Sequence, residues 1–408
     1  MKTLALILAG GRGSRLDILS ENRVKPAVPF AGKYRIVDFT ISNCTNSGIF
    51  DIAILTQYLP LSLNEHIGLG RPWDLDRRDS NITLLQPHKE WYAGTADAVL
   101  QNIKYIKRKN PSHVIILSGD HIYKMDYKKM IDYHIERGSG LTIAVQPVPW
   151  EDAHRFGLLY TDDDNKITEF KEKPAKPESN LASMGIYVFD TDVLLDAVTT
   201  VQDPKLDFGK HIIPYLLEKS DLYAYVFEDY WKDVGTYDSY LEASIDLTRT
   251  VDKITLDMYD RNWKIYTKSE EMPAVKVGSK AKITQALISN GTIVAGNVTR
   301  SVLSPGVIIH PEATVINSVI LNDTEIMPGC YIENAIIDKR CKIMHNVVIG
   351  DGDDYTANKE VPEILSSGIN VVGVGTVIPE GTTITRNCRI FSSGEFKEKK
   401  ISAGSTLK

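Results

Sequence analysis

Gly10, Gly11 and Gly13 follow an apolar run, Thr3–Leu8, and Arg12, Arg15 and Lys25 lie among and just beyond them. A buried strand that opens into glycines ends in a turn with bare amides and no Cβ atoms, and such a turn lies readily against phosphate oxygens. The three cations bring positive charge to the same place. Glycines alone would also serve plain turn geometry; glycines with these cations suit a polyphosphate. The run is not a P-loop, because no Gly-Lys-Ser/Thr follows at the required spacing. Asp120, in SGDHIY, stands directly after the apolar run Val114–Leu117. That is the carboxyl edge of a strand, where α/β proteins bind ligands. A carboxylate there offers hard oxygens to Mg²⁺; its other use would be as a helix N-cap before Met125. Asp233, in YWKDVGTYD, follows a strand expected at Leu222–Phe227 and precedes a helix expected to begin near Thr236. Two aspartates from distant positions suit one shared Mg²⁺, with capping as the plain alternative for each.

Further candidates sit at other strand ends. Glu172 and Lys173 end the run Lys166–Phe170 in FKEKP; Lys173 is a compact charge for a sugar phosphate and Glu172 an acceptor for hydroxyls, although a charged turn would look the same. Gly94 and Thr95, in WYAGTADAV, stand at an expected helix start whose free amides would let a purine approach. Tyr92 is placed to touch base or sugar phosphate, and Gln57, after the strand Ile52–Thr56, to meet a base edge.

The elements that position these residues fall into two regimes. To about residue 250, apolar strands such as Ile52–Thr56 and His113–Ser118 alternate with helical spacing, as in Ala96–Lys109, which predicts right-handed βαβ units and a mostly parallel sheet. After about residue 275, aliphatic residues recur near every sixth position (Val302, Ile308, Val315, Ile320, Ile326, Ile332, Ile337, Ile343) between short turns. That period predicts a parallel β-helix of hexapeptide rungs. The expected boundaries are 1–250 for the α/β domain, 251–275 for a linker and 276–408 for the β-helix, with 351–367 as a polar loop insertion. His310 and His345 would be the general-base candidates if the β-helix were an acyltransferase; a structural or oligomerising β-helix is the favoured reading.

The glycine loop, the Lys-Pro after it and the string KPAVPFAGKYRIVDFTISNCTNSG resemble the sugar-nucleotide pyrophosphorylases, and within them the bacterial glucose-1-phosphate adenylyltransferases (ADP-glucose pyrophosphorylases). The resemblance runs along nearly the whole chain. It implies a Rossmann-like nucleotidyltransferase domain followed by a left-handed β-helix, and substrates ATP and α-D-glucose 1-phosphate. It implies Leu8, Ala9, Gly10, Gly11, Gln57, Gly94 and Thr95 around the nucleotide, and Arg15, Lys25 and Asp120 as catalytic. It implies Tyr92, Gly157, Glu172, Lys173, Ser183, Tyr187 and Asp207 around the sugar phosphate, with Mg²⁺ on Asp120 and Asp233. It further implies an allosteric homotetramer or an assembly with a related subunit, serving glycogen synthesis. One departure is Asn22, where activator-responsive relatives carry a lysine, so sugar-bisphosphate activation is not expected; Arg35, Arg386 and Arg389 remain anion-site candidates. A non-catalytic regulatory subunit would have lost the loop, its arginine or the metal aspartates, all of which this chain keeps.

Composition agrees. The 408 residues, 43% hydrophobic and 25% charged with net charge −6, are ordinary globular material and carry no basic excess for nucleic acid. Cys44, Cys330, Cys341 and Cys388 are scattered without a C-x-x-C, which predicts buried free thiols rather than zinc or disulfides. The apolar start is short and leads straight into the glycine loop, so it reads as a strand and not a signal peptide. No run is long enough to cross a membrane, and a cytoplasmic protein is expected.

Overall fold

The computed structural model describes residues 2–11, 13–78, 81–88, 90–249 and 256–408. Two compact units divide the chain: one of residues 1–11, 39–231 and 263–265, the other of 12–38, 232–262 and 266–408. The units therefore interleave along the sequence. The first part of the expected linker, 251–255, lies outside the described residues.

The first unit is built on a nine-stranded sheet. Its centre is parallel: β1 (Thr3–Ala9) lies between β2 (Asp51–Thr56) and β4 (His113–Ser118), with β3 (Ile82–Leu85) beside β2. These are the near-continuous apolar runs, fully buried through Leu4–Ile7, Ile52–Leu55 and Val114–Leu117. A sheet buried on both faces has that signature. Strand β5 (Leu141–Pro147) and the edge pair β6 (Gly157–Thr161) and β7 (Ile167–Glu172) join through the long antiparallel β8 (Leu181–Asp190), and β9 (Leu222–Val226) runs parallel to β5. The pairing of β8 with β5 is interrupted between Ser183 and Tyr187, around Gly185 at φ +68°. The expected helix Ala96–Lys109 is two helices, Thr95–Gln101 and Ile103–Lys109. Asn102 divides them: its Nδ2 donates to the Ala98 carbonyl at 2.8 Å and the Tyr92 hydroxyl at 3.1 Å, a side-chain alternative to the backbone ladder. Within 68–78, where arginines and aspartates alternate with few apolar residues, Trp73 and Leu75 are buried and anchor the segment.

In the second unit the hexapeptide period becomes a parallel β-helix. Its ladders pair residues seventeen apart: Val298 with Val315, Val315 with Ile332, Ile332 with Ile349. Three short rungs make one coil, and the aliphatic residues stack in a dry core with Cys330, Cys341 and Cys388. The polar segment 351–367 interrupts this register: Ile343 pairs with Ile378 and Ile349 with Ile384. Coil corners demand left-handed backbone. Columns of Arg300, Asn317 and Asn334, and of Gly306, Asp323 and Arg340, supply it, and Asn and Asp bear that conformation better than other non-glycine residues.

The segments 12–38 and 232–262 belong with this unit through buried polar contacts. Arg23 pairs with Asp338, both buried. Arg389 holds Asp17 at 2.6 Å and Glu360 at 2.5 Å. The Tyr240 hydroxyl donates to the Pro29 carbonyl at 2.6 Å. Arg386 bonds the Gly352 carbonyl at 2.6 Å and packs over Tyr355. Arg386 and Arg389 are thus occupied, buried side chains. No described helix is long and apolar enough to cross a membrane.

Candidate active site

In the first unit the sheet delivers Leu8 and Ala9 at the end of β1 and Gly10 and Gly11 just past it. A Cβ on Gly10 would stand 3.2 Å from the Gln57 Cβ, so the loop closes directly on the residue that follows β2. Gln57 clamps the backbone of Tyr92: its Oε1 accepts from the Tyr92 amide and its Nε2 donates to the Tyr92 carbonyl. Gln57 and Tyr92 are therefore coupled, and the Gln57 side chain spends its hydrogen bonds on Tyr92. Burial raises the Tyr92 phenol above its ordinary range.

Gly94 has a different reason from the one expected. A Cβ there would lie 2.2 Å from the Leu206 carbonyl oxygen. The amides of Ala96 and Asp97, expected free for a purine, both donate to that carbonyl, at 3.1 and 3.0 Å. The helix start is satisfied by the protein itself. Thr95 accordingly faces Asp207, its hydroxyl donating to the carboxylate at 2.8 Å and accepting from the Phe208 amide at 3.1 Å. Asp207 also caps its own helical turn, accepting from the amides of Gly209 and Lys210 at 2.9 and 3.2 Å.

Glu172, Ser183, Tyr187 and Asp207 form one neighbourhood. Glu172 packs where only glycine fits: a Cβ on Gly157 or Gly209 would come within 2.9 or 2.7 Å of its Oε2. Lys173 turns out at φ +48°, its ammonium 3.1 Å from Glu172 and mostly solvent-facing. At the break in β8, the Ser183 hydroxyl approaches the Tyr187 hydroxyl at 3.5 Å and accepts from the Gly185 amide at 3.3 Å. Burial, with the Glu172 and Asp207 charges nearby, pushes the Tyr187 phenol up to about 12, so it is a hydrogen-bonding hydroxyl at neutral pH. Two carboxylates, two hydroxyls and an exposed ammonium suit a polyhydroxylated phosphate.

Asp120 leaves the end of β4 and accepts from the Ser118 hydroxyl; His121 Nε2 lies 3.5 Å from its Oδ1. It is not a cap: Asp126 caps the following helix, Tyr127–Arg137. His121, whose ring stacks edge-on against Trp231 at 5.2 Å, was not singled out in the sequence, although it adjoins Asp120 there.

In the second unit Arg15, Lys25 and Asp233 meet. Lys25 Nζ is 2.6 Å from Asp233 Oδ1 and Arg15 lies 3.7 Å from Oδ2. Gly13, at φ +63°, lies so close that a Cβ would stand 2.9 Å from the Lys25 Cβ, and a Cβ on Gly235 would meet both Asp233 and Arg15 near 3 Å. Thr236 and Ser239 form a capping box for the helix Tyr237–Asp246, so Thr236 and not Asp233 starts that helix. Arg12 lies outside the described residues. In the β-helix, His310 pairs with Glu325 at 2.9 Å.

The nucleotidyl transferase family profile matches residues 4–250, and the GlmU-like C-terminal hexapeptide profile matches 272–372. A glucose-1-phosphate adenylyltransferase of Thermomicrobium roseum is 48% identical, over 98% of this chain and 96% of the relative. One of Acetivibrio thermocellus is 44% identical over 99% and 97%, and one of Bacillus cereus 47% identical over 89% and 97%. With the fold and these full-length likenesses together, the chain belongs to the glucose-1-phosphate adenylyltransferase family of nucleotidyl transferases.

Proposed function

We propose that the protein joins ATP and α-D-glucose 1-phosphate into ADP-glucose and pyrophosphate. The observation that carries this reading is that the chain builds two complementary chemistries, one in each unit. One is the cationic set Arg15 and Lys25 around glycines; the other is the carboxylate–hydroxyl set Glu172, Ser183, Tyr187 and Asp207 with the Lys173 ammonium beside it. The full-length relatives carry the same activity in their names.

A phosphate oxygen of the sugar attacks the α-phosphorus, the bond to the β-phosphate oxygen breaks, and pyrophosphate leaves. The sugar phosphate is already ionised at pH 7, so no enzyme nucleophile is required. The protein supplies position and charge. Arg15 and the amides of the glycine loop hold the departing phosphates. Lys25 offsets negative charge gathering on the α-phosphate, while Lys173 orients the attacking phosphate. Glu172 accepts sugar hydroxyls, and Ser183, Tyr187 and Asp207 line the sugar. Leu8, Ala9, Gly10 and Gly11 border the nucleotide, with Gln57 acting through the Tyr92 backbone it holds; Gly94 and Thr95 act through their contacts with Leu206 and Asp207, and Gly157 by leaving room for Glu172. The donor set fits Mg²⁺, being carboxylate oxygens without thiolate. Asp120 and Asp233 would hold the ion, which supplies electrostatic neutralisation between two polyanions. We also read the product as the glucosyl donor for glycogen and the enzyme as a homotetramer or partner of a related subunit, both on family resemblance, and we keep the expectation of a cytoplasmic protein.

The test is pyrophosphate release by the full chain with Mg²⁺ and glucose 1-phosphate, offering ATP, UTP, dTTP and GTP in parallel. Release with ATP, lost in Asp120→Asn, is expected. Faster release with another nucleotide overturns the substrate, and none with any overturns the enzyme reading.

A further inference from the structure

At the opposite end of β4 from Asp120 stands a group that the transfer reaction does not use. His113 is the first residue of β4, and Asp190, the last of β8, is its cross-strand partner. His134 comes from the buried face of the helix Tyr127–Arg137 and is 1% exposed. The Asp190 carboxylate lies 3.2 Å from His113 Nε2 and 3.6 Å from His134 Nε2. The imidazoles pack edge to face at 5.6 Å, and one ligand atom from each of the three residues lies within 4.8 Å of the others.

We propose that His113, His134 and Asp190 form a second metal site, for a divalent transition ion with zinc's preference for imidazole and carboxylate. Four observations carry it. First, Asp190 occupies the N-cap position of the helix Thr191–Thr200 yet makes no side-chain cap bond. An aspartate there ordinarily accepts from the helix amides; this one turns to the histidines. Second, His134 Nε2, the ring nitrogen that faces Asp190, is buried without a hydrogen-bond partner, an unusual cost for a polar atom in a native interior. Third, His134 is oriented from behind: its Nδ1 is 2.8 Å from the Thr142 hydroxyl, the outer-shell bond that metal-ligating histidines make. Fourth, the spacing suits. Ligands held at about 2.0–2.1 Å around a tetrahedral ion sit about 3.3 Å from one another, and the two nitrogen–oxygen separations, 3.2 and 3.6 Å, bracket that value. Asp190 is 49% exposed, giving the ion an entry path and room for a water as a further ligand. Two imidazoles and one carboxylate with open positions suit zinc, cobalt or iron better than Mg²⁺.

The site lies about 20 Å from Asp120 along the strand, too far to touch the transferred phosphates. Its ligands come from two strands and a helix, so the bound ion would clamp the amino-terminal end of β4 and stabilise the fold.

Full-length protein stripped with a chelator is titrated with Co²⁺ and followed by visible absorption, then with Zn²⁺ and followed by thermal unfolding. The wild type and Asp120→Asn are both expected to show the d–d band of a four- or five-coordinate site and a Zn²⁺-dependent rise in Tm. Asp190→Asn should lose both, while its pyrophosphate release is kept. His113→Gln is the second variant should Asp190→Asn fail to fold, and circular dichroism reports folding for each. A wild type without the band, a band that survives in folded Asp190→Asn or His113→Gln, or one that vanishes in Asp120→Asn overturns the proposal.

Discussion

The α/β sheet and the β-helix are both built largely from parallel strands, yet they spend their polar residues in opposite ways. In the sheet the strands are long enough to be apolar throughout, and their ends are left for Gly10, Gly11, Ser118, Asp120 and Glu172. In the β-helix most rungs are two or three residues long. Their inward side chains fill the core, and the polar side chains at the corners are bound to the neighbouring coil, as Asn317 is to Asn334. A strand that ends in a loop can aim a side chain at a ligand; a rung that ends in a corner has to hold the next coil. The same secondary structure thus yields a reactive edge in one region and a stack in the other.

The sharpest way to break this contrast is at the reactive edge. Asp120→Asn removes one carboxylate charge while keeping the shape and the Ser118 contact. Turnover should fall on the order of 10³-fold, with KM for glucose 1-phosphate changed less than about threefold. Steady-state pyrophosphate release measures both; loss confined to KM would remove the metal role. Folding stability should move far less than turnover, since the Asp120 side chain is only partly buried at the strand end.

The stack should answer in reverse. Ile332→Ala empties a fully buried core position whose ladder partners are Val315 and Ile349. A loss of about 3 kcal/mol in urea unfolding is expected. Coils touch only their neighbours, so the damage should stay within the β-helix. The folded fraction should turn over at the wild-type rate.

Much of this contrast is legible in the residues. The apolar runs identify the central strands, the glycines mark the loop between β1 and the cations, and the six-residue period foretells the coils. What is illegible depends on contacts between distant segments. Nothing near Gly94 shows that the Leu206 carbonyl takes the helix amides. Nothing near Arg23 shows that Asp338 awaits it. Nothing near Asp190 shows that β8, laid antiparallel beside β4, brings it to His113. Hydrophobic period reports which side of an element is buried, and it is silent about which polar group will be buried with it.

A third break targets a charge held within the second unit. Lys339 gives up its proton near 8, chiefly through burial and then through the positive charges of Arg35 and Arg23, against the weaker pull of Asp338 and Glu270. In the unfolded chain its pKa lies near 10.4. Below pH 8 both states carry the charge and the folded state bears the full penalty. Between about 8 and 10.4 the unfolded chain keeps a proton the folded one has lost, so stability rises with pH. Lys339→Met should raise stability at pH 7 by about 2 kcal/mol and flatten that rise. Urea midpoints of both proteins across pH 7–10 measure it, and parallel curves would sink the argument.

The finest test is at a coil corner. Asn317 holds φ +45°, accepts from Arg300 at 3.3 Å and donates to Asn334. Two causes for asparagine are superposed there: tolerance of left-handed backbone, and a hydrogen bond to the neighbouring coil. Asn317→Ala loses both and should cost about 1–2 kcal/mol. Asn317→Gly restores the backbone freedom and loses only the bonds, so its cost should be about half as large, even though the entropy glycine adds to the unfolded chain takes back part of that saving. If the two variants are equally unstable, the ladder of side-chain bonds stabilises the corner and the backbone geometry is incidental. If glycine matches the wild type, the corner is a conformational requirement alone, and the columns of Asn and Asp are there for φ rather than for one another.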